Sequence, residues 1–261
     1  MDLKIQNKWA LVTGGANGIG EEISKELAKA GVNLVVTSRT LSPINKLKQN
    51  LKDYEVSVEG IEVDFLDSNW ADSFSKKIER YDIEILINNA GHNLNITDPY
   101  CSKQDWERVM NLNFYTPVEL SNLLIPKMKS LGYGRIVNIT SCAGVENMGP
   151  ITYGVAKSSL TVYTRTMGRI LATEGGEVVM TAVFPGVVVT EGGHWEKVLE
   201  EDPDRAKKYL EDRCPLGRFG EVNEIAPVVA FYSSVHASFS HGAIIPVDAG
   251  QARSYMFHNS L

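Results

Sequence analysis

Cysteine, histidine and surplus positive charge are all scarce in this chain, and each shortage closes off a class of function. The 3 cysteines, Cys101, Cys142 and Cys214, are odd in number and show neither C-x-x-C nor metal-ligand spacing. A disulfide framework or a zinc-built fold is therefore not expected, no metal site is predicted, and a reducing compartment is. A formal net charge of -6 disfavours a polyanionic partner, so neither nucleic acid nor an anionic membrane is expected. The first nine residues alternate charged and apolar side chains and lack the apolar stretch of an export signal, which predicts a cytoplasmic protein. The longest uncharged run, 225–247, is broken by Pro227, Pro246, Gly242, His236 and His241, and suits helix, turn and strand rather than a membrane span. Repeats, low-complexity blocks and linkers are missing too.

What the chain does have is alternation. Runs rich in valine and isoleucine stand at 9–13, 33–37, 58–63, 83–88, 135–140, 178–184 and 243–247, separated by stretches of helical period such as 21–30, 105–131, 153–173 and 222–234. The runs are apolar throughout rather than at every second residue, as in strands covered on both faces of a parallel sheet. Helical stretches between them supply the crossovers. With 261 residues, 43% hydrophobic and 22% charged, the chain can bury a large core as one unit. The expected fold is α/β, one doubly wound Rossmann-type domain over 1–261, about seven parallel strands with helices on both faces. The one departure is 192–217, a charged helical segment inserted after the sixth strand, where ligands bind in such sheets. It is expected to cover the substrate.

Directly after the first strand comes Thr13-Gly14-Gly15-Ala16-Asn17-Gly18-Ile19-Gly20, running into a helix. Glycine permits the tight turn and close approach that place a pyrophosphate at a helix N-terminus, where free N–H groups favour negative charge. The spacing is G-x3-G-x-G, not the commoner G-x-G-x-x-G. Further pieces follow in chain order: Asp64, Asn88-Asn89-Ala90-Gly91, Asn113, Ser141, Tyr153-x-x-x-Lys157 and Pro185-Gly186. All but Asn113 stand at strand C-termini or open the helix beyond one, the ligand edge of an open α/β sheet.

Taken together these motifs resemble the short-chain dehydrogenase/reductase family, from Trp9 through Val247-Asp248-Ala249-Gly250. The resemblance implies a nicotinamide dinucleotide bound by the loop from Gly14 through Asn17, Gly18, Ile19 and Gly20. It implies further that Asp64 bonds the adenine amino group, that Asn89, Ala90 and Gly91 flank the adenosine, and that Pro185, Gly186, Val188 and Thr190 hold the carboxamide end. The family more often ends in Asp-Gly-Gly, so the Ala249 methyl is expected to alter packing at the cofactor edge or a subunit contact. An acidic residue ending the second strand would accept from a free ribose 2′-hydroxyl. This chain has Ser38-Arg39, and a guanidinium grips a 2′-phosphate, so NADP(H) is favoured with NAD(H) the alternative.

The reacting centre is expected to combine Asn113, Ser141, Tyr153 and Lys157. Tyr153 and Lys157, at i and i+4, share a helix face. An ammonium and a cationic nicotinamide nearby would favour the phenolate, so Tyr153 is expected to give or take the proton, with Lys157 lowering its pKa and bonding the nicotinamide ribose. Ser141 would hydrogen-bond the substrate oxygen; the resemblance prefers it to Thr140. Asn113 matches the family asparagine that holds a relay water, with Asn111 as the fallback. The resemblance also implies a homotetramer, with a dimer next, built on the helices at 105–131 and 153–173.

Segments 91–95, 142–149 and 187–195 are expected to line the substrate pocket. They bring His92, Asn93, Asn95, Glu146, Asn147, Glu191 and His194 beside Leu94, Met148 and Trp195, with Cys142 as a pocket wall, a lining polar enough to favour a small hydroxylated or sugar-like carbonyl compound. A 3-oxoacyl-thioester reductase is the alternative enzyme. A non-catalytic nicotinamide-binding regulator is the alternative of another class.

Overall fold

All seven apolar runs become strands: β1 (Trp9–Val12), β2 (Asn33–Ser38), β3 (Val58–Glu62), β4 (Ile83–Asn88), β5 (Gly134–Ile139), β6 (Val178–Pro185) and β7 (Ile244–Val247). The computed structural model describes residues 1–146 and 148–253, so Asn147 lies outside the described residues. Every neighbouring pair is parallel, in the order β3-β2-β1-β4-β5-β6-β7. Chain order reverses between β1 and β4, which opens a crevice beyond their C-terminal ends.

Side chains alternate between the two faces, and both faces are apolar. Ala10, Val12, Val36, Ile87 and Val183 pack under Ile23 and Leu27 of α1 (Gly18–Lys29) and Ile225 and Val229 of α9 (Val222–Tyr232). Leu11, Val35, Leu86, Ile136 and Met180 meet Phe74 of α3 (Trp70–Ile78), Leu120 and Leu124 of α5 (Thr116–Ser130), and Leu171 of α6 (Ile151–Thr173). Each fully buried side chain of this kind contributes ~1.5–3 kcal/mol, which is why the runs need no alternation. Helix α2 (Leu41–Asn50) completes the crossover between β2 and β3, burying Ile44 and Leu47.

The stretch 105–131, expected as one helix, is divided. Helix α4 (Lys103–Met110) opens on a capping box between Ser102 and Asp105, a π-helical turn spans Asn111–Tyr115, and α5 follows. Pro117 has no N–H for the carbonyl four residues back, and the Asn113 side chain donates to Val109 O at 2.9 Å in place of the regular ladder.

The segment 192–217 folds into α7 (His194–Glu201) and α8 (Pro203–Arg213), which share a small core with Phe219 and with Val187 and Val189 beyond β6. Val198, Ala206 and Phe219 are buried there, with Trp195, Tyr209 and Leu210 against them. All three cysteines are unlinked. Among the described residues no helix is long and apolar enough to cross a membrane. Ala249 sits at φ +54, in the left-handed region, with its side chain exposed. A glycine in that place adopts this backbone freely, so the alanine adds backbone strain there.

Candidate active site

The glycine loop crosses from β1 to α1 at the crevice. Gly14 and Gly18 have φ of +60 and +52, and a Cβ at Gly20 would run into Gly14 O and Asn89 Nδ2. Thr37 at the end of β2 anchors the turn, its hydroxyl accepting from Gly14 N at 3.1 Å and its carbonyl from Gly15 N at 3.1 Å. From β4, Asn89 Nδ2 donates to Thr13 O at 2.9 Å and Gly14 O at 3.2 Å, while the Thr13 hydroxyl accepts from Asn89 N and Ala90 N, each at 2.9 Å. Asn17 precedes the helix without a side-chain capping bond, which leaves the first-turn N–H groups of Gly18, Ile19 and Gly20 directed at the crevice. Thr190, beyond β6, closes over Gly18, its Cγ2 lying 3.3 Å from where a Cβ there would stand. These residues form a cradle that fits a dinucleotide pyrophosphate.

The four expected reacting residues gather at the same edge. Lys157 is only 2% exposed, and its ammonium donates to Ile139 O at 2.9 Å and stands 5.6 Å from the Tyr153 ring centre. Asn113, fully buried by the π turn, accepts from His92 N at 3.1 Å and donates to His92 O at 2.9 Å. Gly91 links the two: a Cβ there would lie 2.7 Å from Asn113 Oδ1 and 2.8 Å from Lys157 Nζ. Ser141 Oγ accepts from Ala143 N at 3.1 Å and hydrogen-bonds Tyr153. Asn111, the fallback, is exposed.

Burial outweighs charge at this centre. The sequence predicts that the ammonium draws the tyrosine down, but burial pushes Tyr153 up to about 12, with the Ser141 hydrogen bond opposing it. Burial likewise pulls Lys157 down to about 8. The lysine faces the Ile139 carbonyl rather than the phenol oxygen, which explains why desolvation dominates.

Ser38 and Arg39 end β2 at the crevice, Arg39 exposed; Asp64, also exposed, accepts from Leu66 N at 2.9 Å. His92 Nδ1 accepts from Leu94 N at 2.8 Å, so Nε2 carries the proton. Its pKa is lowered by burial and then by the Arg39 guanidinium, keeping the ring neutral. Asn93 Oδ1 accepts from Asn95 N at 2.9 Å, and Leu94 and Asn95 both adopt positive φ. Both polar side chains are thus engaged by their own loop. Cys142 is buried with Sγ 3.8 Å from Asp248 Oδ2, and burial followed by the Asp248 charge raises its pKa, so the thiol is no nucleophile. His194 is exposed at the start of α7, while Trp195 packs on Tyr209 and Phe219 with ring centres 4.2 and 4.9 Å away. Pro185 ends β6, and the segment beyond it carries Gly186, Val188 and Thr190 back toward the glycine loop. Sequence reasoning missed Thr37 and gave no role to Thr13, although Thr13 opens the glycine motif it quoted.

Comparison with known proteins agrees with this geometry. Residues 8–198 match the short chain dehydrogenase family. A 3-oxoacyl-(acyl-carrier-protein) reductase of Aquifex aeolicus is 33% identical over 257 residues, covering 96% of this chain and 99% of the relative. L-xylulose reductase of Caenorhabditis elegans is 32% identical over 248 residues, covering 94% and 95%. Among solved structures, L-sorbose reductase from Gluconobacter frateurii, complexed with NADPH and L-sorbose, superposes with a TM-score of 0.89 at 25% identity over 98% of this chain and 100% of that one. With the crevice, the glycine cradle and the Tyr153–Lys157 helix in place, the match over most of its length makes this chain a member of the short chain dehydrogenase family, an oxidoreductase acting between carbonyl and alcohol.

Proposed function

We propose that this chain passes a hydride between NADP(H) and the carbonyl or secondary alcohol of a small polar or sugar-like substrate. The observation that carries the reading is the meeting of Asn113 and Lys157 at Gly91 beside the Ser141–Tyr153 pair. When bound, the nicotinamide supplies or accepts the hydride. Tyr153 gives its proton to the substrate oxygen in reduction and takes one in oxidation. Ser141 already accepts from Ala143 N, which leaves its own proton for the same oxygen. Lys157 holds the nicotinamide ribose, and Asn113 holds the relay water. The residues from Gly14 to Gly20, with Asp64, Asn89, Ala90, Gly91 and the 185–190 segment, hold the rest of the dinucleotide.

Arg39 and the absence of an acidic residue at the end of β2 support NADP(H) over NAD(H), as does the NADPH bound by L-sorbose reductase. Arg39→Asp should weaken NADPH far more than NADH; a higher kcat/KM with NADH in the parent enzyme refutes this preference. His92, Asn93, Glu146 and His194 make a polar surround, and relatives named for xylulose and sorbose support a polyhydroxy ketone. The Aquifex relative supports a 3-oxoacyl thioester as the second substrate reading. Assays of NADPH oxidation with ketopentoses, ketohexoses and 3-oxoacyl thioesters separate the two, and faster turnover of the thioester overturns the first.

The whole chain acts in this proposal as one cytoplasmic catalytic domain, with 192–217 covering the substrate. Outward faces of α5 and α6 leave Leu123, Val155 and Val162 exposed, Val162 at 64%. With Phe114, Tyr163 and Met167 these faces border a shallow apolar groove that suits a homotetramer, with a dimer next. A monomer mass by light scattering at micromolar concentration refutes the assembly.

A further inference from the structure

Glutamine is usually a surface residue, because a buried amide must find partners at both ends. Gln251, four residues beyond β7, is only 5% exposed. Its Oε1 accepts from Val187 N at 2.9 Å, and its Nε2 donates to the Tyr209 hydroxyl at 2.6 Å. The amide can face only this way, since a backbone N–H cannot accept.

The two partners belong to different parts of the candidate site. Val187 lies in the 185–190 segment that crosses from the end of β6 to Gly18, and Tyr209 lies on α8 of the insertion, its ring against Trp195. Three backbone bonds tie the segment to β7 and to Gly220: Gly186 N to Val247 O at 3.0 Å, Gly220 N to Val187 O at 2.9 Å and Val189 N to Gly220 O at 3.1 Å; a fourth, Gly193 N to Thr190 O at 2.9 Å, closes its far end. The Gln251 bond adds a side chain to this set. A cavity of about 340 Å³, bordered by Gly186, Val187, Val188, Cys214, Ile225 and Gln251, lies against the segment. On the cavity side hydrogen bonds rather than dense packing fix its position, while Val187 and Val189 also pack against the apolar cluster of the insertion. The approach is close enough that a Cβ on Gly186 would stand 2.9 Å from Gln251 Oε1.

We propose that Gln251 is a positioning residue that ties α8 to the 185–190 segment, so that one side chain sets both the seat of the insertion and the placement of the nicotinamide carboxamide. This rests on the reading of 185–190 as the carboxamide-binding segment. Truncating the amide leaves Val187 N without its partner and frees the segment to move into the cavity. The bound cofactor is then held less tightly and its reacting end is aimed less well.

The test measures NADPH Kd by fluorescence titration, kcat and Tm on the full chain. Gln251→Met, which keeps the length and loses both bonds, should raise Kd roughly tenfold and lower kcat. Gln251→Glu keeps both bonds in either protonation state: ionised, it accepts from the Tyr209 hydroxyl; protonated, it donates to it. It should remain within about threefold of the parent. A lower Tm in Gln251→Met with unchanged Kd and kcat, or a Gln251→Glu enzyme as weak as Gln251→Met, overturns the proposal. If Gln251→Met does not fold, Tyr209→Phe must raise Kd by about threefold, and no change there overturns it equally. Thr190→Ala separates the two layers of the inference. Unchanged NADPH binding in that variant overturns the reading of the segment, whereas weaker binding beside an unchanged Gln251→Met overturns the role of Gln251 alone.

Discussion

Replacing Tyr153 by phenylalanine removes one hydroxyl from the centre of the site and leaves the ring. Its neighbours tolerate the loss: Ser141 Oγ keeps the Ala143 N–H at 3.1 Å, and Lys157 keeps Ile139 O at 2.9 Å. Fold and NADPH affinity should therefore survive. Turnover should fall by ~10²–10⁴, or ~3–5 kcal/mol of barrier, the range for a positioned acid–base group. With Tyr153 pushed up to about 12 in the free protein, the phenol stays protonated through the neutral range. Reduction, which uses the phenol, should show no loss from this group between pH 6 and 9 by that assignment. Oxidation needs the phenolate and should climb about tenfold per pH unit, bending below about 12 because the charge of the oxidised nicotinamide favours the anion. Steady-state NADPH absorbance followed in both directions, with melting curves and NADPH titrations as controls, reads all of these quantities. Near-parental kcat in Tyr153→Phe, or an oxidation rate flat from pH 6 to 9, refutes the assignment.

Lys157→Met should abolish turnover yet stabilise the ligand-free protein at neutral pH. Burial lowers the folded pKa of Lys157 to about 8, below the ~10.4 of an unfolded chain. Between those values the unfolded state holds a proton that the native site lacks, so native stability rises with pH across the window and the burial penalty is complete below about 8. The methionine variant should gain up to ~3 kcal/mol at pH 7, less the lost bond to Ile139 O, and nothing above ~10.4; equal melting differences at both ends of that range contradict it. Ala249→Gly should relieve the strain of φ +54, ~1–2 kcal/mol, against a backbone entropy cost of ~0.5–1 kcal/mol. A rise in Tm of ~1–3 °C is expected, and a fall would show that the alanine is not strained.

The strands were legible because Val-Ile runs covered on both faces need no partner to be recognised, and the glycine loop because its backbone permits few other residues. Tyr153 and Lys157 were legible as a pair but not in their protonation, since burial by distant elements decides it. Trp195 shows the same limit. Its place in the chain suggested a pocket wall, but its contacts with Tyr209 and Phe219 arise only once α7 and α8 fold together. The π turn was hidden because the apolar period runs on through it, and its cause is a proline four residues beyond Asn113. Gln251 carries no motif at all, and its role exists only where the end of the chain meets the insertion.

That π turn makes the site sensitive to length as well as to identity. It holds one residue more than an α-helical turn would. Deleting a single residue within Asn111–Tyr115 would close it to an α-helical turn and let α4 run straight into α5 with both helices keeping nearly their present faces, because four α-helical residues turn about as far as five π-helical ones. Val109 would stay in the core, but the wide turn through which the Asn113 amide reaches Val109 O and His92 O would be gone, and with it the place of Asn113 beside Gly91 and Lys157. A shortened descendant would therefore keep its core and lose its proton path, so the extra residue serves the site rather than the fold.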